Sequence, residues 1–272
     1  MTDPAPLPPS FFDAYTPDQI ALRVEKVGIA KAGLSTLPLF ALAVLAGAFI
    51  AFGAMFFTVA VTGSQLGFGP TRVLGGVAFS LGLILVVIGG AELFTGNVLM
   101  VMGWAAGKVA TPALLRNWGI AYVGNFAGAA AMAGLAHVGG LFALDGGAVG
   151  ATARAVAEAK AALPFWTAFG KGILCNTLVC LAVWLCFAAH SVIDKVFAIL
   201  FPIAAFVALG FEHSIANMYF IPAGALAGGL QSGVSAALVA NLVPVTLGNI
   251  VGGGVFVAAT YYVIYLRGRA GG

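Results

Sequence analysis

Six apolar stretches divide the chain, at residues 37–62, 73–107, 117–144, 164–189, 196–229 and 237–266. A helix that crosses a bilayer needs about 20 predominantly apolar residues, so each stretch is long enough to span. Two are too long for one straight helix. Residues 73–107 as a single helix would run about 52 Å, against a hydrocarbon core of about 30 Å. Residues 196–229 pose the same problem. Each carries its charge near the middle, Glu92 in the first and Glu212 with His213 in the second. A helix interrupted there resolves both length and polarity, because irregular backbone at membrane depth is tolerated where protein buries it or water lines it.

The two interruptions resemble each other. "GAELFTGN" (90–97) and "GFEHSIAN" (210–217) share G-x-E-x-x-x-x-N at an offset of 120. Further on, "GNFAG" (124–128) and "GNIVG" (248–252) share G-N-x-x-G at an offset of 124. Two matches in the same order point to an internal repeat of three spans plus three. An odd number of spans per repeat inverts the second half in the membrane. Inverted halves with helices broken at matching places are a transporter or channel pattern, with the permeation site at the breaks. The expected fold is an all-α membrane protein. Its six transmembrane helices form two inverted three-helix repeats, the second and fifth helices broken.

Composition agrees with a polytopic membrane protein. Of 272 residues 61% are hydrophobic and 8% charged, where a soluble domain carries about 25% charged residues. The 38 glycines suit close helix packing in lipid. A net charge of +3 without a basic run gives no footprint for nucleic acid. Cys175, Cys180 and Cys186 lie on one expected helix, 175 and 186 about 16 Å apart along its axis, and read as small packing residues. No spacing of cysteine and histidine resembles a metal site, and no cofactor is implied.

The chain divides into an N-terminal segment (1–31), a six-span pore domain (32–267) and a short tail (268–272). "MTDPAPLPPS" lacks the basic and apolar parts of a cleavable signal and reads as disordered. Thr16, Pro17 and Gln19 then mark a helix start. Ile20, Val24 and Val27 share a face, which suggests an amphipathic helix along the membrane surface. With the N-terminus inside, the inner segments carry Arg23, Lys26, Lys31, Lys108, Arg116, Lys195, Arg267 and Arg269, and the outer loops Arg72, Arg154 and Lys160. That excess of inner basic residues places both termini in the cytoplasm.

Four segments carry a resemblance that runs in order from about residue 20 to 267: "FSLGLILVVIGGAELFTGN" (79–97), "KGILCNTLVCLAVW" (171–184), "GFEHSIANMYFIP" (210–222) and "NLVPVTLGNIVGGG" (241–254). They resemble the formate–nitrite transporter family. The resemblance implies an aquaporin-like protomer in the bacterial inner membrane, assembled as a homopentamer in which each protomer has its own pore. It implies passage of small monovalent anions of weak acids, chiefly formate. It also implies roles. Thr95 and His213 sit at the centre of the pore, with Asn176 near the histidine. Leu83 and Phe79 match the cytoplasmic constriction and Phe206 the periplasmic one. Lys160 belongs to the outer vestibule, and Glu212 supports the histidine loop. Lys171 and the "ELFTGN" form are closer to the nitrite branch.

On residue chemistry alone, His213 could be a neutral histidine satisfied by its surroundings; the break and the membrane depth favour function, with a central histidine able to hand the anion a proton. Glu212 and its repeat mate Glu92 suit bracing of broken backbone, and Asn97 and Asn217 suit local capping. Thr95 could bond back to its own helix, and Lys160 and Lys171 could snorkel to the interface. Leu83, Phe79 and Phe206 would be ordinary packing. An enzyme is disfavoured: His213 and Ser214 are neighbours and cannot easily form a nucleophile–base pair. A water or glycerol channel lacks its paired Asn-Pro-Ala signature here.

Overall fold

The computed structural model describes residues 14–269; the expected disorder of residues 1–10 and the end of the tail lie outside them. The described residues form helices and connecting loops without strands. Helix α1 (Pro17–Ala32) starts as its sequence suggests, with Pro17 in the first turn and the Gln19 side chain accepting the Thr16 N–H at 3.0 Å. Its apolar face is not left for lipid. Ile20, Ala21, Val24 and Gly28 are buried against the protein, and ion pairs from Lys31 and Glu25 tie the helix down. The apolar face of the expected amphipathic helix is thus turned to the protein.

Two long apolar helices follow, α2 (Thr36–Val61) and α3 (Phe68–Gly89). The chain then breaks and resumes as α4 (Phe94–Asn97), a single 3-10 turn (Val98–Met100) and α5 (Val101–Ala105). Helix α6 (Thr111–Val138) completes this half. Helix α7 (Ala148–Ala161) fills a region read from sequence only as an outer loop. Its run of alanines, with Val149, Ala153 and Ala157 buried on one face, was the available signal. Then come α8 (Phe165–Ala188), α9 (Val192–Ala208), a second break and α10 (Ser214–Leu226). The last helix runs as α11 (Val234–Val251), a π-helical stretch (Gly252–Ala259) and α12 (Thr260–Tyr265).

Five of these helices are long and apolar enough to cross a membrane: α2, α3, α6, α8 and the α11–α12 run. The two pieces around the second break, of 17 and 13 residues, are shorter than a full span.

Glycines set the helix spacing. A Cβ on Gly47 of α2 would collide with the Asn125 carbonyl of α6, and one on Gly128 of α6 with the Val44 carbonyl of α2. The second half repeats this: Gly248 would collide with Phe169 of α8, and Gly252 with Ile173. Gly128, Gly248 and Gly252 belong to the G-N-x-x-G motifs, and the close approach they permit puts the motif asparagine against the neighbouring helix.

Candidate functional site

Both breaks are built by the same bonds. Helices α3 and α9 end at Gly90 and Gly210, whose φ of +77° and +71° lie in the left-handed region that glycine adopts without a Cβ clash. The Ala91 N–H closes back on the Val86 carbonyl and the Phe211 N–H on the Phe206 carbonyl, each at 3.0 Å. The chain then runs extended. Glu92 N–H donates to the Leu42 carbonyl of α2 at 3.2 Å, and Glu212 N–H to the Lys171 carbonyl of α8 at 3.3 Å.

The motif asparagines hold the restart. Asn125 Oδ1 accepts the Phe94 N–H at 2.9 Å, while its Nδ2 donates to the Ala43 and Glu92 carbonyls at 2.7 and 3.0 Å. Asn249 Oδ1 accepts the Ser214 N–H at 2.9 Å, and its Nδ2 donates to the Gly172 and Glu212 carbonyls at 2.8 and 3.0 Å. Buried backbone groups need partners, and each break obtains two from one side chain, whose third bond ties it to the neighbouring helix.

A charged cage flanks each break. Lys31 Nζ pairs with Glu92 at 2.7 Å; Asn97 Nδ2 donates to Glu92 and to Asn117 at 2.8 and 2.9 Å, and Asn117 donates to the Lys31 carbonyl at 3.1 Å. In the second half Lys160 pairs with Glu212 at 3.0 Å; Asn217 donates to Glu212 and to Asn241, both at 2.7 Å, and Asn241 donates to the Lys160 carbonyl at 3.0 Å. Lys160 is therefore bonded to the break rather than snorkelling at its rim. Asn97 and Asn217 bond side chains rather than local backbone.

Between the breaks Thr95 and His213 meet. Thr95 Oγ1 and His213 Nε2 are 2.9 Å apart, and both residues are buried. His213 Nδ1 accepts the Ala216 N–H at 3.1 Å and so caps α10. With Nδ1 an acceptor, the neutral ring carries its hydrogen on Nε2. Asn176 of α8 donates to the Thr95 carbonyl at 3.2 Å and the Asn249 carbonyl at 2.7 Å, which links the first break to α11; its Oδ1 is buried without a partner among the described residues.

A cavity opens on either side of this seam. One, of about 430 Å³, is bordered by Arg23 and Lys31 of α1 and by Leu83, Glu92, Asn97 and Lys195. The other, of about 280 Å³, is bordered by Arg72, Lys160, Lys171, Glu212 and His213 together with aromatic rings. The Phe79 and Phe206 rings lie edge to face at 5.6 Å, and Phe206 stacks on His213 at 6.0 Å. This separates Phe79 from Leu83. The two were expected at one constriction with Phe206 at the other, but Phe79 joins Phe206 on the Lys160 side and Leu83 borders the α1 side. They stand one helical turn apart on α3, and packing against α9 assigns them to different cavities. Sequence reading also missed Lys31 and Arg72, which looked like ordinary inner-face and span-end charges.

The profile of the family described as Formate/nitrite transporter matches residues 18–263. The chain is 40% identical to the formate channel FocA of Escherichia coli (strain K12) over 94% of its own length and 96% of that protein's. It is 42% identical to a probable formate transporter of Methanothermobacter thermautotrophicus, over 83% of this chain and 88% of the other. Among solved structures it resembles a pentameric formate channel with formate bound (TM-score 0.77, 43% identity, 85% of this chain and 98% of that one). It also resembles an FNT family ion channel (TM-score 0.83, 29% identity, 90% and 98%). The chain belongs to the formate/nitrite transporter family, a family of membrane transporters and not of enzymes.

Proposed function

We propose that this protein is a channel for formate in the bacterial inner membrane, with His213 and Thr95 as the point of contact with the anion. The observation that carries this reading is the Thr95–His213 pair at the seam of two broken helices, with a cation-bordered cavity on each side. Relatives named as formate channels support the choice of anion. The two sets of matching bonds support six spans in two inverted repeats, α9 and α10 together making the fifth. The basic residues support both termini, and so the α1 cavity, on the cytoplasmic side. The pentameric neighbour supports a homopentamer.

An anion entering a narrow, largely apolar passage loses its hydration at a cost of several kcal/mol. Lys160, Lys171 and Arg72 on one side and Arg23, Lys31 and Lys195 on the other raise the local anion concentration. At the seam His213 Nε2–H donates to Thr95 Oγ1, which leaves the Thr95 hydroxyl hydrogen to replace lost water, with Nε2–H joining it where the anion displaces that pairing. Asn176 fixes the Thr95 backbone, Glu212 holds the loop that carries His213, and Leu83 closes the α1 side. The geometry supports best the intact anion accepting these hydrogen bonds.

A second reading has His213 hand the anion a proton. The Phe79 and Phe206 rings beside His213 favour it, since apolar walls pass a neutral acid more readily than an anion. Formic acid, with a carboxyl pKa of about 3.5, is almost wholly ionised at pH 7. The Ala216 N–H stands against it: a proton-donating ring must carry a hydrogen on Nδ1 and give up that bond. Formate flux into liposomes at pH 7 and pH 5, with the current under a formate gradient in planar bilayers, separates the two. A formate current that reverses at the formate potential supports the intact anion. Electroneutral uptake that accelerates at pH 5 and is lost in His213→Phe supports proton transfer. No flux of formate or nitrite under either regime overturns the proposal. Lys171 borders the same cavity, and flux of nitrite well above that of formate would reassign the anion.

A further inference from the structure

The C-terminal end of a helix carries a partial negative charge of about half a unit, spread over its unpaired carbonyls. At the second break that end belongs to α9 and stands on the cavity with Lys160, Lys171 and His213. Left bare, it would repel the anion. Here Arg72, one turn into α3, covers it. Its Nε donates to the Ala208 carbonyl at 2.9 Å and its Nη2 to the Val207 carbonyl at 3.0 Å, which also accepts the Gly210 N–H at 3.0 Å. Gly210 leaves room for the guanidinium: a Cβ there would stand 2.7 Å from Nη2. Arg72 and Gly210 both border the cavity.

The first break has no such cover. By the repeat, Val87 and Ile88 of α3 correspond to Val207 and Ala208. Among the described residues no side chain donates to their carbonyls, although Lys195 borders that cavity. The repeat holds for the asparagines, the glutamates and the lysines, and fails here.

Resting on the anion-channel reading above, we propose that Arg72 is a positioning residue for transport. By capping the α9 carbonyls, it turns an anion-repelling helix end into part of the attracting wall of one cavity only. It orders the helix end and its field and need not touch the anion. Its effect is confined to anions entering from its own side.

The test is formate current through the full-length protein in planar bilayers, with formate supplied from one side at a time, for wild type, Arg72→Gln, Arg72→Lys and Lys171→Gln. In Arg72→Gln the half-saturating formate concentration should rise about threefold to tenfold for one side of the bilayer, the size expected of a helix-end charge, and stay unchanged for the other. The shift should shrink as salt is raised. Arg72→Lys should recover most of the affinity, even if Arg72→Gln folds too poorly to record. Lys171→Gln, which removes a cation without baring carbonyls, should shift affinity less. Equal shifts on both sides, no shift, or an Arg72→Lys channel as weak as Arg72→Gln would overturn the inference. A wild type with no anion current would instead overturn the reading on which it rests.

Discussion

Two asparagines show how much one side chain does in this protein. Asn125 and Asn249 each give a helix its first N–H partner and tie an extended loop to a neighbouring helix. Asn249→Ala would leave the Ser214 N–H and the Glu212 carbonyl without their side-chain partner and take the second bond from the helical Gly172 carbonyl. Each unpaired buried group costs about 1–3 kcal/mol, so thermal unfolding in detergent should show a loss of about 2 kcal/mol or more. The Lys160–Glu212 pair follows a different rule. Removing one partner strands a charge inside the protein, at about 3–5 kcal/mol, whereas removing both is far milder. Lys160→Met should therefore unfold at lower temperature than Lys160→Met combined with Glu212→Gln. A double variant no more stable than the single one would show that the pair is not coupled. The roles of His213 and Glu212 could be suspected from sequence, since ionisable groups at membrane depth are costly to bury and are rarely kept there without a task. Lys31 could not. A lysine on an amphipathic helix is commonplace, and its partner Glu92 lies 61 positions away.

At the scale of elements, the repeat was readable where spacing is local and lost where loop lengths differ. The G-N-x-x-G pair stood out because a helix face fixes its spacing. Helices α1 and α7 correspond in their bonds, Lys31 to Lys160, yet their offset of 129 positions matches neither motif offset, and α7 passed for a loop. Which cavity Phe79 faces was likewise beyond pattern, because only the packing of α9 decides it. The glycine seams carry a clear expectation. Gly248→Leu places a branched side chain where backbone of α8 already stands. Small residues at such crossings let buried backbones meet, so this variant should fail to give a monodisperse peak on size exclusion. Gly134→Leu, on an open face of α6, should behave as wild type. Helix α1 is part of the same construction. Deleting residues 1–32 removes both the cation paired with Glu92 and the carbonyl that Asn117 bonds. It should destabilise the protein, read as a melting temperature in detergent below that of the full chain.

For the whole molecule, the wide exposed apolar faces of α2, α6, α8 and α11 leave surface for lipid and for further copies of the chain. Native mass spectrometry from detergent should find five copies, and monomers alone would count against the proposed pentamer. The two charged cages have a further consequence, in how the protein answers an electric field. A membrane potential acts on net charge, at about 2.3 kcal/mol per unit charge per 100 mV. Each cage holds one lysine and one glutamate, so a motion that carries a cage as a unit transfers no net charge across the field. An opening that moves only the cages should therefore carry no gating charge. Stepping the holding potential should change the current at once and in proportion, with no slow, voltage-dependent relaxation behind it.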